Sequence, residues 1–128
     1  MDIQLEIKVI EKFVVKEKQS RYKQFVSSNK TRNKFLRDLP HFKSFKWNLF
    51  EEINGNESEI MNRLEKFQGD KTKCYVISEN SKIDQKLISL SDAFMEIGGD
   101  RATILVFGNA DIIYFEGEPP KNRFISKI

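Results

Sequence analysis

The sequence predicts an α+β fold, in which N-terminal helices pack on a small, mostly antiparallel C-terminal sheet with a terminal hairpin. Apolar residues recur at helical spacing through the first half of the chain, and short runs of β-branched and aromatic residues fill the second half. Gly-Asn-Ala-Asp at 108–111 separates two such runs and favours a hairpin. Helices that precede strands are typical of α+β proteins. With 128 residues, the chain has the size of a single domain, which we expect to span 1–128.

The first predicted element is a long helix over residues 3–26, continuous or broken. This segment contains neither Gly nor Pro, and Ile3, Ile7, Ile10 and Val14 lie on one helical face. The alternation of apolar residues at its start would also fit a strand. The length of the uninterrupted segment favours a helix.

Three further helices are expected, each with a polar N-cap candidate before it and Gly or Pro after it. The residue before a proline disfavours the helical conformation, so a helix ends there. These helices are 30–39, between Ser27-Ser28-Asn29 and Pro40; 57–68, capped by Asn56 or Ser58 and closed by Gly69-Asp70; and 92–97, capped by Ser89 or Ser91 and closed by Gly98-Gly99.

The second half of the chain carries the strand signals. Each predicted strand is a short apolar run, and polar residues, Gly or Pro separate the runs. The predicted strands are 74–77, 102–107, 112–116 and a last edge strand at 123–126. Residues 41–53 alternate aromatic and basic side chains, and we expect a short helix or an extended connection there.

The composition indicates a cytoplasmic protein. Its single cysteine, Cys74, excludes an intramolecular disulfide and fits a reducing compartment. No run of about 18 apolar residues is present, so we expect neither a transmembrane helix nor a membrane partner. The first residues are acidic and mixed, which is not the pattern of a secretory signal.

Chemistry-bearing residue types are scarce in this sequence. Cys74 could act as a nucleophile only with His41 beside it in the fold, but Cys74 begins an apolar strand, where cysteine usually behaves as a small core residue. One His and one Cys also lack the paired spacing that zinc needs. We therefore expect no catalytic residue, no metal and no cofactor, and we predict that the protein is not an enzyme.

Two further patterns have ordinary structural explanations. Gly98-Gly99 follows a helix and precedes a strand, which is the order of a helix stop and not of a phosphate-binding loop. Glu116 and Glu118 share a strand face if the strand continues through Gly117, and they form the best carboxylate pair for acid–base work. Charge at an exposed strand end explains them more simply. A hydrolase that uses these carboxylates or His41 is the least favoured hypothesis.

A basic and aromatic stretch at 16–46 is the strongest sign of a nucleic-acid partner. It contains ten Lys or Arg residues against Glu17 and Asp38, a net charge of +8, with aromatic residues between them. Cations release counterions from phosphates and exposed aromatic rings can stack bases. The alternative is that the aromatic residues form core and the cations a solvated face. The candidate contacts are Arg21, Lys23, Lys30, Lys34, Arg37, Lys43 and Lys46.

A protein partner or a homo-oligomer is the favoured function. Trp47, Tyr75 and Tyr114 are candidates for surface aromatic residues, which are favoured at interfaces, and Trp47 and Tyr114 are the predicted interface residues. The terminal hairpin could leave an open sheet edge for pairing. We therefore predict a non-enzymatic protein-interaction domain, immunity-like or regulatory, with nucleic-acid association through 16–46 as the alternative.

Three stretches together resemble a group of small uncharacterised bacterial proteins. The resemblance covers most of the chain and is compatible with a single domain, with no activity, substrate or site attached to it. The stretches are Arg21-Tyr22-Lys23-Gln24-Phe25-Val26-Ser27-Ser28 through Phe35-Leu36 to His41-Phe42; Tyr75-Val76-Ile77-Ser78-Glu79-Asn80-Ser81 through Asp84 to Ala93; and Tyr114-Phe115-Glu116-Gly117-Glu118 with Arg123-Phe124-Ile125.

Overall fold

Two groups of helices cover the two faces of an antiparallel sheet in the computed structural model, which describes residues 2–68, 73–97, 101–117 and 123–127. The predicted α+β fold is confirmed. The helices are α1 (Ile3–Phe13), α2 (Lys16–Val26), α3 (Asn29–Asp38), α4 (Glu57–Gln68) and α5 (Leu90–Glu96). The strands are β1 (Phe50–Glu52), β2 (Lys73–Ser78), β3 (Leu87–Ser89), β4 (Thr103–Phe107), β5 (Ile112–Glu116) and β6 (Arg123–Ser126). Short 3-10 turns lie at Leu39–His41 and Trp47–Leu49.

The sheet order corrects one prediction. The strands lie in the order β1-β6-β5-β4-β2-β3, and every neighbouring pair is antiparallel. The strand at 123–126 was expected at the edge, but it lies between β5 and β1, so that expectation is wrong. The cause is the segment 50–52, which forms β1 and pairs Glu51 with Ile125 across β6. The closing residues Gly69-Asp70 and Gly98-Gly99 lie outside the described residues.

The long N-terminal helix is broken between α1 and α2. Val14 has an extended ψ of 141° and forms a bridge to Phe45. The Val15 N–H donates to the Ser44 carbonyl at 2.8 Å, and the Lys46 N–H donates to the Phe13 carbonyl at 2.7 Å. These bonds hold the chain extended, because Val14 and Val15 pair with the 44–46 segment instead of continuing the helical ladder.

Side-chain caps begin the helices where the sequence predicted them. Ser28 accepts from the Lys30 N–H, and the Asn56 side chain accepts from the Glu59 N–H at 2.9 Å. Ser89 accepts from the Asp92 N–H, so α5 begins at Leu90, two residues earlier than expected. Each such cap contributes about 1 kcal/mol of stability.

The alternation of side chains along the strands produces a core on each face of the sheet. The core under α1–α3 is rich in aromatic rings, and its ring pairs have centroid distances such as 4.6 Å for Phe42 and Phe45. The core under α4 and α5 is mainly aliphatic. Its members include Leu64, Val76 and Leu105.

A buried ion cluster joins α1, α3 and the β2–β3 connection. Glu6 is 0 % exposed and Arg32 is 5 % exposed. The Arg32 guanidinium donates to both Glu6 carboxylate oxygens at 2.9 and 3.0 Å, and to both Asp84 oxygens at 2.5 and 2.9 Å. The Tyr75 hydroxyl donates to Glu6 at 2.6 Å, and the Ser78 N–H donates to Asp84 at 2.9 Å. Arg32, counted above with the basic stretch, is therefore a core residue.

The cluster raises the pKa values of two of its members, Arg32 and Tyr75. Burial lowers the pKa of the Arg32 guanidinium, but hydrogen bonds to Asp84 and Glu6 raise it by more, so the pKa lies above its usual value. Burial, followed by the hydrogen bond to Glu6, raises the pKa of Tyr75. Arg32 therefore stays charged between its two carboxylates and Tyr75 stays neutral as a donor.

Replacing Arg32 should cost much of the stability of the fold. Arg32→Met leaves the buried Glu6 and the half-buried Asp84 without their cation, and breaking a buried pair in this way typically costs about 3–5 kcal/mol. Urea denaturation near neutral pH measures the free energy of unfolding. The exposed Arg37→Met variant on the same helix is the control, with an expected change within about 0.5 kcal/mol. Equal stabilities for the two variants would contradict the role given to Arg32.

Candidate functional site

An aromatic cleft lies on the sheet face that carries α1–α3. We call it the Trp47 cleft, and its volume is about 540 Å³, within the range of ligand-binding pockets. Half of its lining residues are Phe or Trp, and the lining comes from four separate segments of the chain. The lining residues are Pro40, His41, Phe42, Lys43, Trp47, Phe50, Glu52, Phe115, Gly117 and Phe124.

The floor of the cleft is a row of side chains across three adjacent strands. Glu52 of β1 lies opposite Phe124 of β6, and Phe124 lies opposite Phe115 of β5. Directly opposed residues in antiparallel strands project to the same face. The sheet register therefore brings together residues that are more than sixty positions apart in the chain.

Trp47 is the exposed aromatic residue of the cleft. It is 37 % exposed, and its ring centroid lies 4.9 Å from Phe124, 5.5 Å from Phe45 and 5.5 Å from Phe50. The neighbouring rings hold the indole in place while leaving part of it open to solvent. Trp47 thus lies at the surface, as predicted, and its role at an interface stays a prediction.

Gly117 sets how closely the end of β5 approaches the wall of the cleft. A Cβ atom at this position would lie 2.9 Å from Phe115 Cζ and 3.1 Å from the Pro40 carbonyl oxygen. Both distances are too short for a side chain to be accepted without movement of its neighbours. Gly117 therefore allows the backbone to lie against the Phe115 ring at the bottom of the cleft.

Three polar side chains line the otherwise apolar cleft. His41 and Lys43 come from the wall, and Glu52 comes from β1. All three residues are exposed at the surface. An imidazole, an ammonium and a carboxylate beside aromatic rings suit recognition of a segment with both apolar and charged groups.

Tyr114, the second predicted interface residue, is not at the surface. It is 0 % exposed, and its ring lies 5.7 Å from that of Phe94 in the core under α4 and α5. The prediction is wrong because β5 is an interior strand and Tyr114 projects from it into the core under α4 and α5. Tyr75 is also buried, in β2 beneath α1.

Glu116 of the predicted carboxylate pair is part of this same core. The Tyr114 hydroxyl donates to Glu116 at 2.6 Å, and Arg123 Nε lies 3.3 Å from the same carboxylate oxygen. Burial, followed by the charge of Glu116, raises the pKa of Tyr114. Glu118, its predicted partner, lies outside the described residues. The carboxylate of Glu116 is buried and serves to hold Tyr114 and Arg123 together.

Cys74 and His41 are on opposite faces of the sheet. Cys74 is buried in the core under α4 and α5, whereas His41 lines the Trp47 cleft. Burial raises the pKa of the Cys74 thiol to about 12. Cys74 and His41 therefore do not form the nucleophile–base pair that the sequence analysis considered. Among the described residues, no group of three or more His, Cys, Asp and Glu side chains is arranged to hold a metal ion.

Four of the seven candidate nucleic-acid contacts share one surface, which we call the α3 basic face (Arg21, Lys30, Lys34 and Arg37). Lys30, Lys34 and Arg37 line a groove of about 460 Å³ along α3, beside Glu79. The Arg21 guanidinium and the Lys34 ammonium lie 5.4 and 5.6 Å from the Phe25 ring centroid. A half-buried aromatic ring thus lies between two cations.

The other three candidate contacts lie elsewhere. Lys23 forms an ion pair with Glu11 at 3.3 Å. Lys43 lines the Trp47 cleft, and Lys46 is half-buried beside the α1–α2 break. The stretch at 16–46 therefore contributes cations to more than one surface, and its aromatic residues mostly form core, as the alternative explanation proposed.

Sequence reasoning missed most of the cleft. Phe115, Gly117 and Phe124 gave no local signal of a site, because only the pairing of β5 with β6 brings them beside Trp47. Glu52 had a weak signal, since adjacent Glu51 and Glu52 end the aromatic and basic segment.

No family model, no curated protein and no solved structure matches this chain. In the described part of the chain, no helix is both long and apolar enough to cross a membrane.

The thiol of Cys74 should be unreactive in the folded protein. We expect labelling by a thiol reagent near neutral pH to be at least about a thousandfold slower than in denaturant, because the core must open first. The pKa is about 12 in the folded state against 9.0 for the free group, so its contribution to stability is complete below pH 9 and is lost as the pH rises towards 12. Wild type should therefore lose stability more steeply above pH 9 than Cys74→Ala. Rapid labelling of the native protein would show an accessible thiol instead.

Proposed function

We propose that this protein is a non-enzymatic protein-interaction domain, of an immunity-like or regulatory kind, which binds a protein partner at the Trp47 cleft. The observation that carries the proposal is Trp47 itself, 37 % exposed at the mouth of a cleft of about 540 Å³ lined by aromatic rings. Tryptophan is among the residues that contribute most to binding energy at protein interfaces.

The architecture of the cleft supports a protein partner. An apolar centre surrounded by polar groups is the usual arrangement of an interface, and here Phe50, Phe115 and Phe124 supply the centre. The ring contacts of Trp47 fix its position before binding, which lowers the entropy lost on association. A single apolar side chain of the partner can therefore enter a site that is already formed.

The placement of the reactive groups supports a role without catalysis. Cys74 is buried with a raised pKa, and Glu116 is buried and held by Tyr114 and Arg123. His41 is in the cleft, on the other face of the sheet from both. A nucleophile and its base must lie within hydrogen-bonding distance, and these groups do not.

Peptide selection with a tryptophan readout tests the proposal. A random-peptide display library is selected on the protein, and the affinity of each enriched peptide is measured by emission from Trp47, the only tryptophan of the chain. For variants that lack the indole, isothermal titration replaces fluorescence. Trp47→Ala should weaken binding by at least about thirtyfold, the loss expected for an interface hot spot.

Met95→Ala is the matched control for this experiment. Met95 is also an exposed hydrophobic residue, but it lies on α5, on the other face of the sheet. We expect its peptide affinities to equal those of wild type. Peptides that bind equally to Trp47→Ala, or a library that yields no specific binder, would count against the cleft as a protein-binding site.

A second candidate function is nucleic-acid binding at the α3 basic face. The observation that favours it is the Phe25 ring between Arg21 and Lys34, next to the groove that Lys30 and Arg37 line. Cations along a groove can follow a phosphate backbone, and an aromatic ring among them can stack a base. This candidate uses a surface different from the Trp47 cleft, so the two can be tested separately.

Charge reversal tests the second candidate. The triple variant Lys30→Glu, Lys34→Glu, Arg37→Glu changes three charges by two units each, from a net +3 to −3. If the face binds nucleic acid, a single-stranded oligonucleotide should be retarded by wild type at low salt. The triple variant should then bind at least about tenfold more weakly, with a smaller dependence on salt.

The control for this variant has the same net charge. Lys8→Glu, Lys66→Glu and Lys73→Glu change three exposed lysines away from the α3 basic face. Equal losses in both triple variants would indicate an effect of overall charge. No retardation by wild type at low salt would remove this candidate.

A further inference from the structure

We infer that the partner at the Trp47 cleft is an extended, basic segment of a protein that adds a strand to the sheet beside β1. This inference rests on the proposed function and names the chemistry of its partner. It follows from three features of β1: its position at the sheet edge, the direction of its backbone groups, and its charge.

The outer edge of β1 offers backbone groups for pairing. Within the described residues, β1 is the last strand on its side of the sheet. The Ile53 N–H donates to the Arg123 carbonyl at 3.0 Å, and the Lys127 N–H donates to the Leu49 carbonyl at 2.6 Å. Backbone groups alternate in direction along an antiparallel strand, so those of residues 50 and 52 point away from β6.

One of the outward-facing backbone groups of residues 50 and 52 already has a hydrogen-bond partner, so the remaining groups define where an added strand can pair. The Phe50 N–H donates to the Trp47 carbonyl at the end of the 3-10 turn. The Phe50 carbonyl and both the N–H and the carbonyl of Glu52 remain directed at the open edge. A strand added here would bond mainly to Glu52, in the manner of proteins that bind peptides at a sheet edge.

The edge and the cleft are parts of one surface. The side chains of Phe50 and Glu52, whose backbone groups face outwards, both line the Trp47 cleft. Residues of an added strand that lie opposite Phe50 and Glu52 project to the same face. Backbone pairing would therefore direct two side chains of the partner, two positions apart, to the cleft.

The charge of β1 selects a basic partner. β1 contains two glutamates, Glu51 and Glu52, and no lysine or arginine. Glu51 pairs with Arg63, whereas Glu52 is exposed and takes part in no ion pair among the described residues. A lysine or arginine opposite Glu52 gains a cross-strand ion pair, and an apolar side chain opposite Phe50 can reach Trp47.

The same charge disfavours a second copy of this chain as the occupant. Two β1 strands that pair about Glu52, whose N–H and carbonyl face the open edge, would place two Glu52 carboxylates opposite each other. Like charges directly opposed across strands are destabilising, and charged edge strands are a common means of preventing self-pairing. The acidic edge is therefore suited to a partner of opposite charge.

Designed peptides test the inference. The probe is a tryptophan-free peptide of about ten residues, alternating Thr and Val to favour an extended conformation, with Leu and Lys placed two positions apart. Its counterparts carry Glu in place of Lys, or N-methyl groups on the backbone amides that would face β1. Trp47 emission reports binding, and hydrogen exchange reports protection of the Glu52 amide.

The expected results depend on both charge and backbone. The lysine peptide should bind at least about fivefold more tightly than the glutamate peptide, and Glu52→Lys should reverse this order. N-methylation should abolish binding, and the Glu52 amide should exchange more slowly in the complex. Glu65→Lys, the same charge change at an exposed position of α4, should keep the order of wild type.

The possible failures separate this inference from the proposed function. Library peptides that depend on Trp47 but show no preference for Lys or Arg, no effect of N-methylation and no protection of Glu52 would overturn strand addition and leave the cleft as a protein-binding site. Peptides whose affinity does not depend on Trp47 would overturn both strand addition and the proposed binding at the cleft. A shift of Trp47 emission by an oligonucleotide, with none by any peptide, would also overturn both.

Discussion

The fold depends on the buried guanidinium of Arg32. It joins α1 through Glu6 and the β2–β3 connection through Asp84, so one side chain of α3 ties together segments 26 and 52 residues away. Removing charges from water costs a desolvation free energy that offsets much of the attraction between them. A buried ion cluster is therefore stabilising only where the charged groups also make good hydrogen bonds. Here both carboxylates bind the guanidinium through two oxygens, and Tyr75 donates a further hydrogen bond to Glu6. The cluster therefore fixes where the helical layer lies on the sheet.

This anchor determines which part of the sheet the helices leave open. The cluster lies at the β2 side, where Tyr75 and Ser78 contact it. At the other side, β5, β6 and β1 are covered by the segment 40–47, which leaves α3 through Pro40 and returns to the α1–α2 break through Phe45. A loop cannot fill the space over three strands as a helix does. Aromatic side chains extend across that space, and the Trp47 cleft is the part that they do not fill.

Local signals predicted most elements, and non-local pairing decided what they failed to predict. The helix at 57–68 and the hairpin strands 102–107 and 112–116 follow from spacing, caps and turn residues, and they were found close to the predicted bounds. The edge position given to 123–126 and the surface position given to Tyr114 were wrong, and Arg32, counted among the cations of the basic stretch, is buried. The position of each of these residues depends on which distant segment of the chain packs against it, and residue types alone do not encode that packing. The exposure of Trp47 was predicted, but the cleft around it arises from the sheet register.

The two edges of the sheet differ in a way that makes β1 the one suited to pairing. At the opposite edge, the bond from the Val76 N–H to the Lys86 carbonyl directs the backbone groups of Leu87 and Ser89 outwards. However, Ser89 caps α5 through its side chain, and the chain becomes helical at Leu90. Both edge strands have three residues, but at β3 the helix begins at the next residue and prevents an added strand from continuing alongside. β1 has no helix immediately after it and adjoins a cleft, so its acidic charge is what restricts pairing there. The acidic charge of β1 disfavours strands of like charge but leaves the edge open to a basic strand.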